Sequence, residues 1–451
     1  MIRFKNRFNF LITGILFMMV LGNSAQVTAA GLVRDTEIEN MLHLWGDPIF
    51  KAAGLNPSAV KIILIQDNNV NAFVAGGSNI FFYTGLLTKT ENPGEIIGVL
   101  AHETGHIAGG HLIRTREALE RASYESIIGA IVGVGAAIAT GDASAVPAIA
   151  MGGQSLAQRS FLAHSRVHES SADQAALSFF EKSGLNPIGM STFLEKLESE
   201  NYVPANQQSE YVRTHPLTTN RIEAVKHRIN DSPYKDKAFP KKWEDQHARM
   251  KAKLLGFVNP GQVPWVYSDS DTSISARYAR TIAAYRGNQV EKALDGIDDL
   301  LIAEPNNPYF LELQAQMLVD FGRVNDAVPA YRKAIKILPD AALFRIALAH
   351  ALIESPNGGD AFWREAIKEL ERALQDEART PRIFRLLATA YGKLGQQDMA
   401  KINLAEEAVL QRNFSYAREH AQSVLSNAKE GSPIAVKAHD ILTFIENTKK
   451  G

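Results

Sequence analysis

The chain has 451 residues, no cysteine and a formal net charge of −1 from 48 basic and 49 acidic side chains. This length predicts two or three domains. The balanced charge provides no basic field for a nucleic-acid partner. A chain without cysteine forms no disulfide, no thiolate zinc site and no thiol nucleophile.

The first thirty residues predict a secretory signal peptide. A basic start, MIRFKNRFN, precedes the apolar run FLITGILFMMVLG, and small residues follow this run. We expect cleavage near Ala29 or Ala30 and export to a bacterial periplasm. An uncleaved membrane anchor is the alternative, but the apolar run is short for a bilayer span.

The next part of the chain predicts one helix and three strands. Residues 35–56 carry apolar side chains at helical spacing, which is typical of an amphipathic helix. Residues 60–66 predict a buried strand. Residues 68–87 predict two short strands around the turn at Gly76 and Gly77.

His102, Glu103 and His106 form the pattern H-E-x-x-H. Residues four apart lie on one face of a helix, so the two imidazoles can bind the same metal ion. Glu103 lies beside them, where its carboxylate can take the proton of an attacking water molecule. On a helix, this pattern is the signature of a zinc metallopeptidase.

The residues around this motif predict the helix that it needs. Asn92 is a good N-cap residue, Pro93 suits the first helical position, and Glu95 falls where a capping-box acid belongs. Gly109 and Gly110 predict the end of the helix. The motif therefore lies in the last turns of a helix with defined ends.

A second helix, predicted over residues 165–187, offers the third protein ligand that zinc requires. Glu169 is a candidate, and Asp173 lies one turn further on, where it can orient a ligand imidazole. His164 and His168 are also four residues apart and can bind metal themselves. The residue pattern alone favours Glu169 but leaves these alternatives open.

A third histidine ligand of the metzincin type, directly after the motif, is not expected. In the metzincin pattern the third histidine would stand at position 112, which is Leu112, and His111 comes one residue early. We therefore predict a structural role for His111.

Residues 124–157 are apolar and rich in glycine and alanine, with GDASA in the middle. Neither arm has the roughly 18–20 residues of a transmembrane helix. We predict a helical hairpin or loop with exposed apolar surface that contacts a membrane or a hydrophobic substrate. Simple packing as an internal hairpin is the alternative.

The remaining segments are helical. We expect helices at 189–199, after the turn that opens 214–229, and at 243–256, followed by a domain boundary at 265–273. Beyond it, Ala293 and Ala327 are 34 residues apart, as are Pro305 and Pro339. This period is typical of tetratricopeptide (TPR) repeats, and we predict four to five units with an insertion of about five residues in the third.

Four stretches, VNAFVAGG, HETGH, ESSAD and THPLTTNRI, together resemble the gluzincin family of HtpX and the CAAX prenyl proteases. The resemblance implies that Glu169 is the third zinc ligand. It also implies that His215 lies over the zinc ion as a fourth ligand that keeps the protease silent, and that Arg221 supports the site.

The expected reaction is peptide hydrolysis at one zinc ion, with Glu103 as general base. We expect zinc, aided by His215 or Arg221, to stabilise the oxyanion. An extended substrate is predicted to pair with the strand around 75–83, through Ala75, Gly76, Gly77 and Asn79.

The predicted protein is mainly α. An α+β zincin-like metallopeptidase domain at 31–265 precedes an α-helical TPR solenoid at 266–451. With the signal peptide and the repeats, the resemblance implies an autoinhibited periplasmic endopeptidase that degrades misfolded or stalled outer-membrane β-barrel proteins. Its TPR domain would contact the outer-membrane assembly machinery. The alternative is a TPR scaffold or chaperone in which proteolysis is secondary.

Overall fold

The computed structural model describes residues 31–111, 154–204 and 207–448. The predicted signal peptide and most of the apolar segment 124–157 lie outside these residues; only 154–157 are included, as the start of a long helix. Within the described ranges, no helix combines the length and hydropathy needed to cross a membrane.

In the first part of the chain, the described residues form a small mixed sheet of four strands. Its strands are β1 (Gly31–Val33), β2 (Lys61–Gln66), β3 (Ala72–Ala75) and β4 (Asn79–Tyr83). They lie in the order β1-β2-β4-β3, and only β2 and β4 are parallel. The predicted turn is confirmed, because Gly76 and Gly77 both have positive φ, 64° and 91°, which favours glycine.

The described helices of this part of the chain are α1 (Thr36–Ala52), α2 (Thr84–Lys89), α3 (Pro93–Ala108), α4 (Gln154–Ser183), α5 (Ile188–Glu198), α6 (Glu210–Thr214), α7 (Thr219–Asn230), α8 (Lys241–Val258) and α9 (Val263–Val266). The first three pack against the sheet. Trp45, Phe82 and Leu100 belong to the shared core of α1, β4 and α3, and all three are fully buried. The predicted domain boundary falls at α9.

Five helix pairs follow. Their members are α10 (Ile274–Arg286), α11 (Val290–Ala303), α12 (Pro308–Asp320), α13 (Val324–Ile337), α14 (Ala342–Glu354), α15 (Asp360–Ala373), α16 (Pro381–Lys393), α17 (Gln397–Leu410), α18 (Phe414–Asn427) and α19 (Pro433–Thr448). The first members of the first three pairs begin 34 residues apart. Ala293, Ala327 and Ala366 are fully buried where paired helices pack, so the predicted repeat period and mainly α architecture are confirmed.

The repeats are joined to the first domain by buried polar contacts. Lys253 on α8 lies 2.7 Å from Asp35 and 3.1 Å from Glu37. Tyr278 on α10 donates to the same Glu37 at 3.0 Å. Beside these groups a cavity of about 680 Å³ separates β1, α1 and α8 from the inner helices of the repeats. The two parts of the chain therefore share one interface around Glu37.

Candidate metal centre

Helix α3 carries the H-E-x-x-H motif, and it begins at Pro93 after the predicted N-cap residue Asn92. Asn92 caps the helix by accepting from Glu95 N. The capping box is not closed in the expected way, because the Glu95 carboxylate accepts from Glu91 N and pairs with Lys196 at 2.9 Å. These contacts hold the start of α3 in place, and the last turns of the helix, which carry the motif, lie inside the domain.

Helix α4 passes so close to α3 that it can contribute side chains to the same centre. At Gly105 an added Cβ atom would lie 2.6 Å from the carbonyl oxygen of Ala172, so only glycine fits this crossing. The close approach brings Glu169 and Asp173 of α4 beside the two motif histidines. Both carboxylates are almost fully buried.

Four side chains from three segments converge on one point. His102 Nε2 lies 3.1 Å from His106 Nε2 and 3.3 Å from His215 Nδ1. The Glu169 carboxylate lies 3.3 Å from each motif imidazole and 3.2 Å from His215 Nδ1. Ligand atoms about 2.0–2.2 Å from a tetrahedral zinc ion are separated by roughly 3.3–3.5 Å. The set therefore has the spacing and the donor types of a zinc site.

Hydrogen bonds on the outer side of two imidazoles decide which nitrogen faces this point. Asp173 Oδ1 accepts from His102 Nδ1 at 2.9 Å, and the carbonyl oxygen of Ala72 accepts from His215 Nε2 at 3.2 Å. These acceptors can bind only a protonated nitrogen. The lone pairs of His102 Nε2 and His215 Nδ1 are thereby left for a cation.

Glu103 is buried, and neither of its carboxylate oxygens has a hydrogen-bond partner. Its nearest basic neighbour is His215, whose Nε2 lies 3.6 Å from Oε1. Burial raises the pKa of Glu103, and the nearby His215 and His102 only partly oppose this. An orphaned buried carboxylate is costly unless a water molecule or ion is its partner, so Glu103 also fits a centre that holds a cation and water.

The charges of the centre are strongly coupled. Burial lowers the pKa of His106 to about 3, so this imidazole is neutral and free to bind metal. Burial also opposes charge on His102, but hydrogen bonds to Asp173 and Glu169 raise its pKa to about 10. Although burial alone would raise the pKa of Glu169, His215 and the motif histidines hold it well below its usual range. The carboxylates thus favour a positive charge at the centre.

Arg221 lies behind the carboxylates and not in the cleft. Its guanidinium donates to both Asp173 oxygens, at 2.5 Å and 3.0 Å, and to Pro216 O at 3.1 Å. It also lies 2.9 Å from Glu169 Oε2. The expectation that Arg221 aids the oxyanion directly is therefore corrected: its donors are turned to Asp173 and Glu169, which it orients and neutralises.

Another sequence candidate, His168, lies outside the ligand group. His168 is buried but stacks on His111 with ring centroids 4.4 Å apart, and it does not join the four-residue group. The side chain of His164 lies outside the described residues. Tyr211 was not singled out by the sequence, although its buried ring lies 4.6 Å from His215; an aromatic residue one turn before the histidine was the available signal.

The substrate-strand prediction is wrong in part. Strand β4, which contains Asn79, pairs with β2 on one side and with β3 on the other, so it has no free edge. In the described residues the sheet has two edge strands, β1 and β3. The edge beside the metal centre is β3, because the carbonyl of Ala72 is bonded to His215. Strand β3 ends at Ala75, and Gly76 and Gly77 form the turn beyond it. Next to the metal centre, an added strand therefore has backbone partners along β3 and not along β4.

These features define a class. A helix with H-E-x-x-H, a glutamate from a second helix and a buried unpartnered acid beside them are the elements of a gluzincin-type zinc metallopeptidase. Comparison with known proteins agrees: residues 36–229 match Peptidase family M48, and residues 265–409 match the tetratricopeptide repeat.

Individual proteins are similar in sequence to a larger part of the chain. The beta-barrel assembly-enhancing protease of Escherichia coli (strain K12) is 25% identical over 413 residues, covering 90% of this chain and 82% of that protein. The protein of the same name from Yersinia pestis is 24% identical over 417 residues, covering 90% and 82%. Metalloprotease YcaL of Escherichia coli (strain K12) is 30% identical over 184 residues, covering 40% of this chain and 67% of that protein.

The chain belongs to Peptidase family M48. It is a zinc metalloendopeptidase with TPR repeats, and its centre fits one zinc ion.

Proposed function

We propose that His102, His106 and Glu169 are the permanent zinc ligands and that His215 closes the fourth position in the resting enzyme. The observation that carries this proposal is the convergence of their four ligand atoms within 4.8 Å of one another. His215 comes from the turn before α7, whereas the other three stand on the long helices α3 and α4. A ligand on a short turn is the one that can leave with least disturbance of the fold.

A zinc ion held by His102, His106 and Glu169 would lower the pKa of water and polarise a peptide carbonyl. Glu103 takes the proton of the attacking water molecule and passes it to the leaving amine. Its burial and its lack of other partners support this role, since a raised pKa suits a group that accepts and returns a proton near neutral pH. Glu103 is therefore the side chain that we propose as the catalytic residue, beside the metal ion.

His215 has two proposed roles, and it can perform only one of them at a time. While its Nδ1 faces the ligands, it fills the place that a substrate needs, so the enzyme is silent. Once the His215 side chain has left the ligand group, its ring N–H can donate a hydrogen bond to the oxyanion. Asp173 and Arg221 hold His102 and Glu169 in place and are positioning residues.

We also propose that residues 31–265 form the metallopeptidase domain and 266–451 the TPR domain. Within the first, the free edge of β3 is the proposed site for an extended substrate. Edge pairing uses only backbone groups, so it suits clients of varied sequence. The carbonyl of Ala72 on this strand is bonded to His215, which links substrate entry to displacement of the inhibitory ligand.

The proposed site of action is the periplasm, and the proposed clients are misfolded or stalled outer-membrane β-barrel proteins. The predicted signal peptide supports export. Likeness over 90% of the chain to proteins named beta-barrel assembly-enhancing protease supports the client class. The repeats support a docking role toward the assembly machinery, and the segment 124–157 a peripheral membrane contact.

The test is a comparison of wild type with Glu103→Gln. The purified mature chain should hold about one zinc ion and cleave an unfolded β-barrel protein, and the variant should hold zinc without cleaving. In cells lacking the native gene, the variant should fail to remove stalled β-barrel precursors. If the variant supports assembly as well as wild type does, the scaffold function is the principal one.

A further inference from the structure

The two motif histidines are oriented by different groups. His102 Nδ1 is bonded to a carboxylate, Asp173, at 2.9 Å. His106 Nδ1 instead lies 3.0 Å from Nδ1 of another imidazole, His111. Both ring nitrogens of His106 are thus engaged, since its Nε2 faces the ligand group.

The backbone after α3 is shaped to bring His111 back onto His106. Gly109 ends the helix with φ −73°, and Gly110 has φ +60°, where the chain reverses. An added Cβ atom at Gly109 would lie 2.4 Å from His111 Nε2 and within 2.9 Å of two further ring atoms. The glycine pair that ends the helix therefore also makes room for the imidazole of His111.

The ring of His111 is held from its other side as well. It stacks on His168 with an angle of 4° between the ring planes. Both rings are more than nine-tenths buried. His168 is the neighbour of Glu169 in the chain, so the same helix that brings the third ligand also fixes His111.

We propose that His111 is a positioning residue that accepts a hydrogen bond from His106 Nδ1 and so presents His106 Nε2 to the zinc ion. This inference rests on the proposed ligand set. It requires an unprotonated Nδ1 on His111, because His106 must keep its own Nδ1 proton when its Nε2 binds the metal. His111 is not a ligand: it touches the outer nitrogen of His106 and is absent from the four-residue group.

The role has a chemical consequence. Partners on the outer nitrogen of a ligand imidazole fix its tautomer and ring orientation, and their loss typically weakens metal binding roughly 10–100-fold. A neutral imidazole is a weaker acceptor than a carboxylate. His106 is therefore the less strongly supported of the two motif ligands. Loss of its outer hydrogen-bond partner should be measurable as a lower affinity for zinc.

The experiment measures zinc affinity of the mature chain by competition with a chromophoric chelator, together with the Tm of the metal-free protein. His111→Asn keeps an acceptor atom where Nδ1 stands, whereas His111→Phe keeps an aromatic ring over His168 without an acceptor. Gly109→Ala leaves His111 unchanged but pushes its ring away. The matched control is His247→Asn, because His247 is also buried and has a hydrogen bond, to Thr90 at 2.8 Å, far from the centre.

We expect His111→Phe and Gly109→Ala to bind zinc about 10–100-fold more weakly than wild type. His111→Asn should stay within about threefold, and His247→Asn should lose Tm but not zinc affinity. Wild-type affinity in His111→Phe, or an equal loss in His111→Asn, would overturn the inference. If His111→Phe does not fold, Gly109→Ala decides. If wild type binds no zinc, or His106→Ala binds it like wild type, the ligand proposal itself fails instead.

Discussion

His215 Nε2 lies 3.6 Å from Glu103 Oε1, and both side chains are buried. The same imidazole turns its other nitrogen to the ligand group. It therefore occupies the space between the proposed general base and the metal centre, where the attacking water molecule and the scissile carbonyl have to meet.

The first prediction concerns this obstruction. His215→Ala should raise peptidase activity on an unfolded protein on the order of tenfold, because the site no longer spends most of its time closed. Zinc content should remain about one ion, since three ligands persist. A fall in activity with zinc retained would mean that His215 serves mainly the oxyanion. The double variant with Glu103→Gln should be inactive, which assigns the gained activity to this centre.

The second prediction concerns Glu103 itself. Glu103→Gln should lower the rate of peptide cleavage roughly 100- to 10,000-fold, the usual effect of losing a general base. Zinc content and Tm should hardly change, because the carboxylate has no hydrogen bond to lose. Elemental analysis and cleavage of a fluorogenic peptide measure the two quantities. Substantial residual cleavage by zinc-loaded variant protein would contradict the assignment.

The third prediction concerns the buried cation of Arg221. Arg221→Met leaves Asp173 and Glu169 without their shared partner, and breaking such a buried pair costs about 3–5 kcal/mol. At roughly 2–4 °C per kcal/mol, the Tm of the metal-free protein should fall by at least about 6 °C.

Arg228 provides the matched control for this loss. It lies on the same helix, pairs with Glu181 and donates hydrogen bonds to Gln174 and Ser178, but the Arg228 and Glu181 side chains are 29% and 44% exposed. Arg228→Met should therefore cost less than Arg221→Met, on the order of 1–2 kcal/mol, because its contacts are partly exposed to solvent. Equal Tm losses in the two variants would show that the carboxylate cluster does not depend on Arg221.

The fourth prediction concerns pH and the cavity between the domains. Burial raises the pKa of Glu312, which lines this cavity, to about 7, and the nearby Lys253 opposes the shift. In the unfolded chain this carboxyl titrates near its ordinary value, about 4.3. The folded protein thus binds the proton more tightly, so this group lowers stability as pH rises from about 4.3 to 7.

Glu312→Gln should remove that loss. We expect the variant to exceed wild type in unfolding free energy by on the order of 1–2 kcal/mol at pH 8, since the Glu312 side chain is only partly buried. At pH 4 the two should be equal. Thermal unfolding at both pH values measures the difference, with the surface Glu244→Gln as control. A variant that is less stable than wild type at pH 8 would mean that the charged carboxylate has a stabilising partner.

Local rules were enough for much of the fold. Asn92, Pro93 and the glycines after the motif predicted the bounds of α3, because caps and helix stops act through neighbouring backbone groups. The 34-residue spacing of Ala293 and Ala327 predicted the paired helices, since each repeat packs only on its neighbours. The donor chemistry of the motif predicted a metal centre for the same reason: two residues four apart share a helix face.

The choice among Glu169, His164 and His168 could not be made from residue pattern. Glu169 and His168 lie on one predicted helix, His164 directly precedes it, and all three are more than fifty residues from the motif. The crossing at Gly105 decides which face of α4 meets the histidines. Likewise the order of the strands, with β4 inside and β3 at the edge, follows from pairing between distant segments. The alternation of residues shows which side chains share a face of a strand, but it does not show which other strand pairs with each of its edges.

The sequence by itself determined the reaction class, the metal and the repeat architecture, because each depends on residues within one turn or one repeat of each other. Only the tertiary structure decided that Asp173 and Arg221 stand behind the ligands, that His215 stands in front of Glu103, and that His111 folds back on His106. These relationships join side chains from separate segments, and packing between helices fixes the distances that set their charge and orientation.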